Sequence, residues 1–92
     1  MSGPRWRIAP EVRLAAWEDG YTVFHTPSGD THLLDPFAGQ VLSCLQNGPM
    51  GLEALALALM DRPLAALGSD ERAAMEAALT ALERVHLVLV SP

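Results

Sequence analysis

The dipeptide Asp35-Pro36 divides this chain into two parts with different local rules. Asp accepts backbone N–H bonds at a helix start, and Pro suits the first helical position, where no N–H bond is needed. Before it lie two turn signals. Asp19-Gly20 marks a two-residue hairpin, since Gly tolerates the positive φ of a type I′ turn. Pro27-Ser28-Gly29 marks a second turn. They bound three strands, Val12 to Trp17, Tyr21 to Thr26, and Asp30 to Leu34, the second rich in β-branched and aromatic residues. After Asp35-Pro36 the spacing becomes helical.

Phe37, Val41, Leu42 and Leu45 define the first helix, which Asn47-Gly48-Pro49 ends. Leu52 to Met60 is apolar on most of its circumference and predicts a buried second helix, stopped at Arg62-Pro63. Ser69 is the expected cap of a third, with Asp70 and Glu71 at the positive end of its dipole. Its stripe is Met75, Leu79, Leu82 and Val85, among many alanines. Leu87 to Val90 is a short apolar end segment compatible with a strand. Strands followed by helices predict an α+β fold: a three-stranded antiparallel sheet, then three helices on one of its faces. The 92 residues suit one domain, with an arm over 1–11, a meander over 12–34 and a helical part over 35–90.

Two-residue loops at both turns would set the register. Trp17 then opposes Thr22, Ala15 opposes Phe24, His25 opposes His32, and Phe24 opposes Leu33. One face carries Ala15, Trp17, Phe24 and Leu33. The other carries Leu14, Val23, His25, His32 and Leu34. Both are partly apolar, and the helices cover only one. The arm with Trp6 and Ile8, a second copy, or a partner would cover the other.

Half the residues are apolar, which excludes a disordered chain. All six basic residues are Arg, and the formal charge of −5 opposes binding to phosphate backbones. One cysteine, Cys44, cannot form an intrachain disulfide and reads as a small buried apolar residue. With no apolar h-region in Met1 to Arg7 and no run long enough for a membrane span, a cytoplasmic setting is expected.

No Gly-rich phosphate loop, paired-carboxylate motif or metal-ligand spacing is present, so no catalytic residue, metal or cofactor is assigned. His25 and His32 are a candidate cross-strand pair without a third ligand, and a half-exposed polar pair is the plainer reading. Thr31 has no activating base placed by local spacing. Asp35 reads as a cap, and Arg72 with Glu76 as a solvated i,i+4 pair.

The stretch Thr26-Pro27-Ser28-Gly29-Asp30-Thr31-His32-Leu33-Leu34-Asp35, with Ala38 and Val41-Leu42, resembles the PqqD family of peptide chaperones, leader-peptide recognition elements for ribosomally made and modified peptides. It looks most like the subgroup associated with an HPr-kinase-related protein. Trp17, Leu79, Leu82 and Leu87-Val88 also fit, and the resemblance covers roughly Val12 to Val90. Its sharpest part is Gly29 to Asp35. At His32 the pyrroloquinoline-pathway members often carry a longer charged residue.

The resemblance implies a winged-helix-like domain that binds the leader of a precursor peptide. The leader adds a strand to the third strand of the sheet, leans on the third helix, and is presented to a modifying enzyme. On matching positions the docking edge is Asp30, Thr31, His32, Leu33 and Leu34, and the groove wall includes Met75, Ala78, Leu79 and Leu82. The partners implied are a precursor peptide and a modifying enzyme or HPr-kinase-related protein.

The leading expectation is thus a non-catalytic peptide-binding module. A homodimerisation or scaffold domain is compatible with the two-sided sheet. A winged-helix DNA-binding regulator fits the topology, but Asp70, Glu71, Glu76 and Glu83 outnumber Arg72 and Arg84 on the third helix.

Overall fold

The computed structural model describes residues 3–91. Its elements are β1 (Arg5–Ile8), β2 (Val12–Trp17), β3 (Gly20–His25), β4 (Asp30–Leu34), α1 (Pro36–Leu45), α2 (Leu52–Met60), a 3-10 turn (Leu64–Ala66), α3 (Ser69–Arg84) and β5 (Val88–Ser91). The fold is α+β and winged-helix-like, with helices against one face of the antiparallel sheet β2-β3-β4.

Asp35 caps α1 as expected: its carboxylate accepts the Ala38 N–H at 2.8 Å, with Pro36 opening the helix. At α3 the cap is Gly68 rather than Ser69, and Glu71 reaches back to accept the Gly68 N–H at 3.0 Å. Ser69 already lies inside the first turn. α3 ends with His86 in the left-handed region at φ 62°, where its N–H reaches Glu83 and the Leu87 N–H reaches Leu82 O, each at 3.0 Å. This bond pair is a Schellman closure with histidine where glycine is usual.

The register differs from expectation by two residues at both turns. The first loop is Glu18-Asp19, with Trp17 opposite Gly20. Gly20 therefore begins β3, and Glu18 and Asp19 lack the positive φ of a type I′ turn. A Cβ on Gly20 would lie 2.6 Å from Leu34 O, so the close strand also demands glycine there. The second loop is the four residues 26–29, closing His25 on Asp30. His25 and His32 consequently do not face each other: His32 pairs with Val23. A shift of two leaves each side chain on its own face, because alternation has period two.

Val23 on β3 is fully buried, and Leu14 and Leu34 on the neighbouring strands pack against the core. The helices complete that core with Val41, Leu42 and Leu45 from α1, Leu55 and Ala56 from α2, and Met75, Leu79 and Leu82 from α3. Each such large side chain contributes about 1.5–3 kcal/mol on burial.

The N-terminal arm does not cover the other sheet face. It forms β1, which pairs antiparallel with β5 from Arg5↔Ser91 to Ile8↔Val88. On its second edge, Trp6 and Met50 exchange N–H···O bonds of 2.8 and 2.9 Å, and the Trp6 indole N–H donates to Glu83 at 3.2 Å. The outer face of the meander thus keeps Trp17, Phe24 and Leu33 exposed.

Candidate functional site

β4 carries most of the residues that the sequence singles out. Its start is set by the loop over 26–29, where the Gly29 N–H donates to His25 O at 2.9 Å and the Asp30 N–H donates to Ser28 Oγ at 3.2 Å. Its end is set by Asp35, whose carboxylate is engaged as the α1 cap. Five residues of extended backbone are held between two fixed points.

Among the described residues, β4 pairs with β3 only, so one edge is unpaired. The alternation of an antiparallel ladder says which groups face that edge. The Thr26 N–H bonds Glu11 O at 3.1 Å, continuing the β2–β3 ladder. Even-numbered residues of β3 therefore bond β2, and odd-numbered ones bond β4. Tyr21, Val23 and His25 satisfy Leu34, His32 and Asp30. The N–H and C=O groups of Thr31 and Leu33 are left pointing outward.

Beside this edge runs an open groove of about 560 Å³. One wall is β4 from Thr31 to Leu34, continued by Asp35, the cap of α1. The other is α3 at Ala81, Leu82 and Val85, with Ala38 of α1 between them. Small side chains keep the space between strand and helix open. Asp35 is the one charged residue of the lining, so the groove is mainly apolar.

Of the expected residues, Thr31, His32, Leu33, Leu34 and Leu82 meet at this groove. Asp30 sits one position outside it, at the start of the strand. Met75, Ala78 and Leu79 are not among the residues lining it; they are buried in the core. Ala81 and Val85 form the exposed flank of the groove. Val85 belongs to the predicted stripe, whereas Ala81 reads in sequence only as helix filler.

Among the described residues no group of three or more His, Cys, Asp or Glu is placed to hold a metal, and no polar or charged side chain is buried. The His25 Nδ1 lies 2.8 Å from Ser28 Oγ, bracing the hairpin loop. Burial pushes the Cys44 thiol above its ordinary pKa, which lowers its thiolate fraction. No described helix is long and apolar enough to cross a membrane.

No family model matches the chain, and no curated protein matches it. Among solved structures the chain is similar to TbiB1 in complex with the TbiA(beta) leader peptide, with 19% identity and a TM-score of 0.68. The similarity covers 89% of this chain and 93% of that one. At this identity it is a likeness of fold.

Proposed function

We propose that this chain is a non-catalytic peptide chaperone. It holds the leader segment of a ribosomally made precursor peptide as an added strand on β4 and presents it to a modifying enzyme. The observation that carries the reading is the unpaired edge of Thr31 and Leu33 beside an open apolar groove against α3. An extended peptide could pair with the outward backbone groups while alternate side chains enter the groove. The fold shared with a protein solved in complex with a leader peptide supports the reading, as does the PqqD-like stretch from Gly29 to Asp35. The protein partner that the resemblance implies is a modifying enzyme or an HPr-kinase-related protein.

The energetics suit a carrier that must release its cargo. Four new backbone hydrogen bonds at about 1 kcal/mol each and two buried side chains at about 2 give roughly 8 kcal/mol gross. Ordering a disordered leader removes about 2–5 of that. The remainder, about 3–6 kcal/mol, corresponds to weak, fast-exchanging binding, in the range of tens of micromolar to millimolar.

The test is a titration of labelled precursor peptides, taken from short open reading frames beside this gene, against the full chain. Saturable binding that shifts the amide resonances of Thr31 and Leu33 is expected. Binding by none of them, or shifts confined to other strands, would overturn the proposal.

A further inference from the structure

We infer that the peptide held on β4 must be apolar on both of its faces, because the sheet offers it a second subsite on the side away from α3. This rests on the strand-addition reading above and specifies which peptides satisfy it. A strand hydrogen-bonded to Thr31 and Leu33 alternates its side chains between the two sides of the sheet. One set enters the groove beside Leu82 and Val85. The other set lands on the outer face, where the neighbour across the new ladder is Leu33, about 5 Å away between Cβ atoms.

That outer face is not the usual polar one. Leu33 is 84% exposed and Trp17 is 67% exposed. Their spacing is arranged by β3. Leu33 pairs with Thr22, and Thr22 accepts the Trp17 indole N–H at 2.8 Å. This bond draws the indole across β3 toward β4, and Gly20 opposite Trp17 has no side chain to obstruct it. Trp17, Thr22 and Leu33 thereby line one hollow of about 370 Å³.

Leu33 borders this hollow and the α3 groove alike, so one extended chain reaches both. The occupant is thus the same peptide and not a second copy of this protein. A second copy would bring another net charge of −5, with the acidic Glu18-Asp19 loop at the rim. A peptide with a polar outer face would leave Leu33 and Trp17 wet. One with a large apolar residue there would bury them.

The experiment uses fluorescein-labelled twelve-residue peptides tiled across the short open reading frames beside the gene. The tightest tile is then scanned with threonine at each position. Threonine is expected to weaken binding at positions of both parities. The variants Leu33→Thr and Trp17→Thr, both at exposed sites, should each weaken the tile about tenfold. They should also abolish the sensitivity of one parity set while leaving the other. Sensitivity confined to one parity, or wild-type affinity of both variants, would overturn this inference and leave strand addition standing. Failure of every tile to bind the wild-type chain would remove both.

Discussion

The ring of Tyr21 on β3 lies directly on Gly39 of α1, occupying the space where any other residue would place its Cβ. The contact seats the sheet on the first helix. Gly39→Ala should destabilise the fold by about 1–3 kcal/mol through overpacking, although alanine is the better helix former by about 1 kcal/mol. Thermal denaturation followed by circular dichroism reads the sign. A stabilised variant would mean the contact is loose.

His86→Gly should act in the opposite direction. The position is left-handed at φ 62° and closes α3 into β5. Relief of the Cβ strain there, about 1–2 kcal/mol, exceeds the about 0.5–1 kcal/mol of entropy that glycine restores to the unfolded chain, for a net gain of about 0.5–1 kcal/mol. A urea midpoint raised at constant m-value is the expected result.

Thr31→Pro tests the edge. Its N–H is among those facing outward, so proline removes a donor for an incoming strand without removing a bond to β3. Peptide affinity should fall at least about tenfold while the far-ultraviolet spectrum is retained. Unchanged affinity would place the peptide elsewhere.

Ala81→Arg tests the opposite wall. Ala81 is exposed on α3 and lines the groove, so a long side chain there fills the space without entering the core. Binding should weaken about tenfold or more by calorimetry, with a melting temperature close to wild type.

A pH dependence follows from Glu71. The Gly68 N–H and the Arg62 guanidinium hold its carboxyl below the ordinary glutamate range. Because the folded value is the lower one, its contribution is fully present above the unfolded value and disappears as pH falls through the folded value. Glu71→Gln should therefore melt below wild type at neutral pH, and the gap should close on acidification. A gap independent of pH would show that the carboxylate charge is not what matters. The site is exposed, so the effect is small and should shrink in high salt.

Much of the architecture was legible from local chemistry. Asp35-Pro36 announced a capped helix, and the turn residues bracketed β2, β3 and β4. The register was not, because Asp19-Gly20 points to one turn geometry while the close approach of Leu34 O to Gly20 favours another. The two face sets are the same in either register, because a shift of two residues preserves the alternation of side chains. The pairing of β1 with β5 joins segments at opposite ends of the chain, and no local signal marks it. On α3, apolar periodicity finds the side chains that face the core, such as Met75 and Leu79. A groove flank made of alanine leaves no such trace, so Ala81 was visible only in three dimensions.

The pairing of Arg5 with Ser91 has a practical consequence. Positions far apart along the polypeptide lie in adjacent rows, so a short flexible bridge could join them into a closed loop. New termini could then be opened at the Asn47–Pro49 bend, away from β4. Such a circular permutant should keep the groove intact, with α2 and α3 synthesised before the meander and α1 after it.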